Sequence, residues 1–220
     1  MTNLKLPYIS PSQLKTFDSC RFKYMFRYLL RLPDKPSEAQ KFGQDVHKAC
    51  ENYFKENKET TDETLKPYLD LVKDNINDEV LETEKRVEFV PRHPLTKKPL
   101  SIAIKLVIDA VGKNRLHEIK TTKRAKTWTH EVLKTDPQPT MYLFYWWQEH
   151  NQLPVMHYHI LTKLKTPKYN SLMTSRKIED FVAMCETIDK FLNNIKNEQF
   201  YPNRTWLCKC CAYKKICKEF

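Results

Sequence analysis

Two carboxylates and a lysine stand close together near the middle of the chain. Asp109 follows the apolar run 106–108, and Glu118-Ile119-Lys120 lies on the next stretch with strand character. Because side chains alternate along a strand, Glu118 and Lys120 should point to one face and Ile119 to the other. Two carboxylates can hold a hard cation such as Mg²⁺, which neutralises a phosphate and lowers the pKa of a bound water. A lysine beside them positions that water or stabilises the transition state, so the set suits phosphodiester hydrolysis.

This motif is short, and its plain alternative is a hairpin with two solvated charges and an ordinary ion pair.

Two further pairs have helical spacing. His47 follows Gly43 by four residues, and the missing glycine side chain should allow close approach of that helix. Gln138 and Tyr142 share a helix face, which suits two polar contacts to one substrate strand. The alternatives are a structural histidine, a first-turn glutamine and a core tyrosine.

The cysteines are unevenly distributed. Four of the seven fall within the last 13 residues, at positions 208, 210, 211 and 217. Such clustering is a ligand pattern, and thiolates suit either Zn²⁺ or an iron–sulfur cluster, which the local spacing does not separate. Cys50 and Cys185 fall on predicted helices and are expected in the core.

Charge and glycine content narrow the class of protein. The 220 residues include 38 Lys and Arg against 27 Asp and Glu, a formal net charge of +11. This favours an anionic partner, with nucleic acid ahead of an anionic membrane. Only two glycines, Gly43 and Gly112, are present, which excludes the glycine-rich phosphate loops of ATPases and dinucleotide enzymes.

Met1 to Ser10 lacks the apolar core of a signal peptide, and no apolar run approaches the length of about 20 residues that spans a bilayer. We therefore expect an intracellular, cytoplasmic protein without membrane association.

The elements that must position these residues follow from periodicity and helix-start signals. Ser10-Pro11-Ser12-Gln13 and Asp136-Pro137-Gln138 are typical of helix N-termini. Gly112-Lys113-Asn114 predicts the turn of a hairpin. Helices are predicted over 10–20, 21–30, 37–54, 64–81, 137–148 and 177–197, and strands over 87–90, 102–111, 115–121 and 155–162. The pattern predicts an α/β fold with a mixed sheet and no linker that splits the chain.

Taken together, these residues resemble the RecB-type branch of the PD-(D/E)XK nucleases, which includes CRISPR adaptation nucleases with iron–sulfur clusters and phage exonucleases. The resemblance covers nearly the whole chain, and six motifs come in the family's order. They are Ser10-x-Ser12 with Cys20, Gly43-x3-His47, Ile108-Asp109, Glu118-Ile119-Lys120, Gln138-x3-Tyr142, and Cys208-x2-Cys211-x5-Cys217. One departure is Leu106, where family members often have glycine.

The resemblance implies a restriction-endonuclease-like core, a mixed central sheet flanked by helices, with a small helical iron–sulfur lobe. It implies one domain over 1–220, with 1–36 and 200–220 forming that lobe. Lys120 would be the catalytic lysine, and Gln138 and Tyr142 would support the site and the DNA. The implied ligands of Mg²⁺ or Mn²⁺ are His47, Asp109, Glu118 and the carbonyl of Ile119, and those of a [4Fe–4S] staple are Cys20, Cys208, Cys211 and Cys217. An upstream glutamate often joins the metal, and Glu88 is preferred to Glu84.

The implied function is that of a metal-dependent deoxyribonuclease, an exonuclease rather than an endonuclease, acting on DNA ends or single strands. Recombination, repair or CRISPR adaptation in a bacterial, archaeal or phage-infected cell would suit it, with a recombination or adaptation protein as partner. Basic and aromatic residues such as Lys123, Arg124, Lys126 and Trp128 could contact DNA. The alternatives are an inactive nucleic-acid-binding protein that keeps the fold and cluster, and a zinc-stapled interaction protein without a nucleic acid partner.

Overall fold

The computed structural model describes residues 6–218 and divides the chain into two compact units. The terminal unit contains the chain up to Lys35, Phe89–Lys105, and the chain from Ile178 onward. The central unit contains Pro36–Glu88 and Leu106–Lys177. All predicted residues of the carboxylate and lysine site therefore belong to the central unit, and the clustered cysteines belong to the terminal unit.

The strands form one mixed sheet. In chain order they are β1 (Tyr8–Ile9), β2 (Val80–Phe89), β3 (Ala103–Gly112), β4 (Arg115–Thr122), β5 (Val155–Thr162) and β6 (Lys168–Thr174). The sheet order is β1-β3-β4-β5-β6, and β2 also pairs with β3. β3 and β4 are antiparallel, β4 and β5 are parallel, and β5 and β6 are antiparallel. The predicted hairpin and the predicted mixed sheet are confirmed.

Seven α-helices accompany these strands among residues 6–218. They are α1 (Pro11–Ser19), α2 (Arg21–Tyr24), α3 (Glu38–Glu56), α4 (Lys66–Asn75), α5 (His130–Thr135), α6 (Pro137–His150) and α7 (Ile178–Lys196). A π-helical turn, Met25–Leu29, continues α2, and 3₁₀ turns cover Ala125–Thr127, Trp206–Cys210 and Ile216–Lys218. No helix within this described part is long and apolar enough to cross a membrane.

Side-chain caps fix where the helices begin. Ser10 accepts the amide N–H of Gln13 at 3.4 Å, and Asp136 accepts that of Gln138 at 2.8 Å, as the sequence predicted. At α3, Ser37 and Gln40 form a reciprocal capping box. Each cap satisfies amides that a helix N-terminus would otherwise leave unpaired.

Several parts of the secondary-structure prediction were wrong. The helix predicted over 64–81 ends at Asn75, and the chain enters β2 at Val80. A positive φ of 48° at Glu84 breaks the alternation of β2, so only its last residues had a visible strand pattern. β6 was missed because its outer face is exposed and polar, which is common for an edge strand. The short α5 and β1 were also missed.

Ile119 lies at the centre of the apolar layer between the sheet and two helices of the central unit. It packs in one buried cluster with Val46 and Cys50 of α3 and Leu69 of α4. The prediction that Ile119 points away from Glu118 and Lys120 is therefore confirmed. In the terminal unit, Cys185 of α7 is also buried, so both cysteines expected in the core lie there.

Both glycines permit a close approach, and neither has a positive φ. A Cβ added to Gly43 would lie 3.1 Å from Oγ1 of Thr121, which confirms the predicted close approach of this helix and shows that its neighbour is β4. A Cβ added to Gly112 would overlap the carboxylate of Asp78 and lie 2.8 Å from Nε2 of His117. The constraint at Gly112 is therefore steric and does not come from the turn conformation.

Gly112→Ala should lower the free energy of unfolding by about 1–3 kcal/mol, because the added methyl group overpacks a site bounded by Asp78 and His117. Urea denaturation followed by circular dichroism measures this loss. Gly43→Ala is the matched control, since its contact is a single hydroxyl and alanine is the better helix former. Equal stability of Gly112→Ala and the wild type would show that the close approach is not a constraint.

Candidate active site

β3 and β4 bring Asp109, Glu118 and Lys120 together. Oδ2 of Asp109 accepts the backbone N–H of Ile119 at 2.7 Å. A regular antiparallel ladder would give that N–H to a backbone carbonyl, so the carboxylate takes its place between the two strands. Nζ of Lys120 forms an ion pair with Oε1 of Glu118, whose side chain is 2% exposed. The predicted convergence of two carboxylates and an ammonium group is thus present.

His47 and Glu84 complete this group from two other elements. Nδ1 of His47, on α3, lies 3.2 Å from Oδ1 of Asp109. His47, Glu84 and Asp109 each offer one ligand atom within 4.8 Å of the other two. The preference for Glu88 was wrong, because Glu88 is exposed and Glu84 is half-buried beside Asp109. Glu84 lies outside the strand predicted over 87–90, and its positive φ interrupts the alternation of β2, so the sequence pattern gave no reason to prefer it.

The electrostatics of the group show competition for positive charge. Burial lowers the pKa of His47, but the carboxylates of Asp109 and Glu118 outweigh it and raise that pKa to about 9. Burial raises the pKa of Asp109, yet His47 and Lys120 hold it below its ordinary value. Burial and the charge of Asp109 raise the pKa of Glu118. Three carboxylates, those of Glu84, Asp109 and Glu118, thus share two cationic side chains, His47 and Lys120.

A divalent cation fits this donor set. Oε2 of Glu118 is buried and has no hydrogen-bond partner among the residues described. Leaving a buried carboxylate oxygen unpaired is costly, and a cation removes that cost. One imidazole nitrogen with several carboxylate oxygens is a ligand set that divalent ions accept. The arrangement can therefore hold a metal with Lys120 at its side.

Gln138 and Tyr142 lie inside the fold. Nε2 of Gln138 donates to the hydroxyl of Tyr142 at 3.1 Å, and that hydroxyl donates to the carbonyl of Val107. Their exposed fractions are 8% and 4%, so neither presents a polar surface for a substrate strand. The pair instead fixes α6 to β3, two residues before Asp109. Leu106, the departure from the family pattern, is buried in the core.

Trp128 and Tyr158 border the lysine side of the site. The Trp128 ring lies 5.9 Å from Nζ of Lys120 and 5.7 Å from the Tyr158 ring. Tyr158 pairs in register with Glu118 across the parallel β4–β5 ladder and is buried. Sequence reasoning missed Tyr158, because only the parallel pairing of β4 with β5 brings it beside Glu118. Lys123, Arg124 and Lys126 lie just beyond β4 and are exposed, as expected.

A groove opens on the other side of the group. Its volume is about 570 Å³, and it begins at His47 and Glu84. Gly43, Lys48, Glu51 and Arg86 also line it, and Lys48 forms an ion pair with Glu51 at 2.7 Å. Two of the metal-ligand candidates, His47 and Glu84, are therefore accessible from a cleft of mixed charge.

The four predicted cluster ligands, Cys20, Cys208, Cys211 and Cys217, line one cavity of about 160 Å³ in the terminal unit. Asn203 links two of them: its N–H donates to Sγ of Cys20 at 3.5 Å, and Sγ of Cys208 donates to its carbonyl at 3.6 Å. Burial and the neighbouring thiols raise the pKa of Cys217.

The four sulfur atoms are not tightly grouped. Within residues 6–218, no three cysteines bring their sulfur atoms within 4.8 Å of one another. Cys210 is exposed and does not line the cavity.

Comparisons with known proteins identify the fold. A candidate exonuclease from Eubacterium rectale is 17% identical, with a TM-score of 0.61 over 94% of this chain and 88% of that one. The protein SSO0001 is 18% identical, with a TM-score of 0.53 over 97% of this chain and 87% of that one. At these identities the likeness shows a shared fold. No curated protein matches the sequence.

The sequence itself shows the family. The family model described as the PD-(D/E)XK nuclease superfamily matches residues 8–108 and 103–218, which is nearly the whole described chain. The site built by Asp109, Glu118 and Lys120 lies within the matched ranges, on the mixed sheet that the fold requires. This chain belongs to the PD-(D/E)XK nuclease superfamily.

Proposed function

We propose that the protein is a RecB-type, divalent-metal-dependent deoxyribonuclease, acting as an exonuclease on DNA ends or single strands. The observation that carries this is the buried, unpaired Oε2 of Glu118 beside the Asp109 carboxylate. With Glu84, the group has three carboxylates against the two cationic side chains His47 and Lys120, so it can accept a further positive charge. Family membership supplies the reaction class, and the residue set supplies the means to perform it.

The proposed metal ligands are His47, Asp109, Glu118 and the carbonyl of Ile119, with Glu84 added from the structure. When bound, Mg²⁺ or Mn²⁺ would neutralise the scissile phosphate and lower the pKa of an attacking water. Asp109 is held in place by the Ile119 N–H, so its second oxygen stays directed toward His47. As a ligand, His47 would have to be neutral, because imidazole binds a metal through its unprotonated nitrogen.

Lys120 is the proposed catalytic lysine. Its ion pair with Glu118 holds the ammonium group beside the carboxylates. From there it can orient the attacking water and stabilise negative charge on the phosphate. Gln138 and Tyr142 are positioning residues, since they fix β3 at Val107 and thereby place Asp109.

The DNA path is proposed to pass the exposed basic side chains that follow β4. Lys123, Arg124 and Lys126 would contact phosphates there, and Arg86 would do so in the groove. Trp128 is half-buried and can offer part of its ring to a base. The exonuclease assignment is supported by the shared fold with the Eubacterium rectale protein. We expect this activity to serve recombination, repair or CRISPR adaptation in the cytoplasm of a microbial or phage-infected cell. A partner protein would come from the same pathway.

Asp109→Asn should reduce cleavage of linear single-stranded DNA by about 100-fold or more, because it removes a charged metal ligand without changing the side-chain shape. Product length from 5′- and 3′-labelled DNA with Mn²⁺ or Mg²⁺ measures the rate and the polarity. Asp74→Asn, at an exposed position near the end of α4, is the matched control and should cut as the wild type does.

Two further experiments separate catalysis from metal binding and exonuclease from endonuclease activity. Lys120→Met should bind Mn²⁺ yet cut slowly, which would separate catalysis from metal binding. Circular single-stranded DNA should resist an exonuclease, and its cleavage would make the protein an endonuclease. A wild type that binds DNA but cuts neither substrate with either ion would be an inactive nucleic-acid-binding protein.

For the terminal unit we propose a [4Fe–4S] cluster on Cys20, Cys208, Cys211 and Cys217, in a lobe formed by 1–36 and 200–220. The donor set fits, because four thiolates face one cavity that Lys23 and Arg204 also line, and those cations offset the cluster's negative charge. Four thiolates would also suit a zinc ion, and the family resemblance favours the iron–sulfur cluster. Such a staple would close a loop of nearly the whole chain.

Cys217→Ser should abolish the iron and sulfide content and the brown colour of anaerobically purified protein, because serine removes one of four thiolate ligands. Cys210→Ser is the matched control, an exposed cysteine of the same tail, and should retain both. Iron and sulfide analysis with visible absorption decides the result. Zinc without iron in the wild type would replace the cluster with a zinc staple.

A further inference from the structure

Three histidines cluster on β4 and β5, away from the candidate active site. His117 lies on the strand face that carries Ile119, not on the face that carries Glu118. His157 pairs in register with His117, and His159 pairs with Ile119. The three are buried, with exposed fractions of 1%, 8% and 0%. One ring nitrogen of each lies within 4.8 Å of the other two.

In two of these rings, the outer nitrogen, which is the one directed away from the other histidines, already has a polar partner. Nε2 of His117 lies 3.4 Å from Oδ2 of Asp78, and Nδ1 of His159 lies 2.9 Å from the Tyr169 hydroxyl. The inner nitrogens, Nδ1 of His117 and Nε2 of His159, face each other at 3.0 Å. Metal-bound histidines have this arrangement, because a carboxylate or another polar group on the second nitrogen fixes the ring and its tautomer.

A chain of hydrogen bonds without a metal accounts for the burial of His117 and His159, but it does not include His157. A chain from Tyr169 through His159 and His117 to Asp78 satisfies each of its own members without a metal. His157 lies beside that chain, with its ring centroid 4.2 Å from that of His159. Its Nε2 is buried and has no hydrogen-bond partner within residues 6–218, which costs free energy unless a ligand is bound there.

The packing around the three histidines also suits a metal. Gly112 makes room for the Asp78 carboxylate against His117, because any side chain there would displace both. A cavity of about 240 Å³ borders His117 and His157, enough for water as a further ligand.

We propose that His117, His157 and His159 form a second metal site, for a transition-metal ion such as Zn²⁺, separate from the proposed nuclease centre. An all-nitrogen set favours Zn²⁺ over Mg²⁺, which prefers oxygen ligands. Two nitrogens on a tetrahedral zinc ion, with Zn–N bonds of about 2.05 Å, lie about 3.3 Å apart, close to the spacing of the inner nitrogens. The ion would tie β4 to β5 and, through Asp78, to the segment before β2.

The test is Zn²⁺ stoichiometry of the full-length protein after gel filtration in millimolar Mg²⁺. The wild type should retain one Zn²⁺ more than His157→Phe, which keeps an aromatic ring but removes the ligand. His150→Phe, at an exposed histidine at the end of α6, is the matched control and should retain the same zinc as the wild type. Asp109→Asn and Cys217→Ser should keep this ion, which separates it from the other two sites.

A second variant and a second readout guard against misfolding of His157→Phe. Tyr169→Phe keeps the three ligands and removes the outer hydroxyl, so it should weaken Zn²⁺ binding about 10–100-fold in chelator competition. Co²⁺ in the same site should give visible d–d bands that persist in Cys217→Ser. Equal zinc content in the wild type and in folded His157→Phe, or unchanged Zn²⁺ affinity in Tyr169→Phe, would overturn the proposal and leave a hydrogen-bonded histidine chain.

Discussion

The burial of two carboxylates side by side is the constraint on which the rest of this structure depends. The side chains of Asp109 and Glu118 are 9% and 2% exposed, and each charge disfavours ionisation of the other. Like charges buried in one low-dielectric site are tolerated only with matching positive charge. With Glu84 as a third carboxylate beside Asp109, His47 and Lys120 provide part of that charge, and the unpaired oxygen of Glu118 marks the part that remains.

The surrounding helices and strands place the side chains that interact with these buried carboxylates. α3 delivers His47 by approaching β4 closely at Gly43, and the irregular backbone of β2 delivers Glu84. α6 is fixed by Tyr142 to the β3 carbonyl of Val107, so the strand carrying Asp109 cannot shift without breaking a buried hydrogen bond. Because side chains alternate along β4, they point into two different layers. Glu118 and Lys120 face the candidate active site, while His117 and Ile119 enter the opposite layer.

Much of this could be predicted from the sequence because it follows from local rules. Strand alternation predicted the directions of Glu118, Ile119 and Lys120, and helix-start chemistry predicted the caps at Ser10 and Asp136. Glu84 could not be found by counting, because a positive φ interrupts the strand. Tyr158 and the three histidines come together only through the parallel pairing of β4 with β5, which no local pattern specifies. The buried bonds of Gln138 and Tyr142 depend likewise on where α6 docks.

The most direct measurement is the anomalous scattering of Mn²⁺ in crystals of the wild type and of Asp109→Asn. The account predicts a peak within coordination distance of His47, Asp109 and Glu118 in the wild type, and its loss in the variant. A wild-type site without Mn²⁺ at millimolar concentration, or a peak of equal height in Asp109→Asn, would contradict the claim that these buried carboxylates hold a catalytic cation.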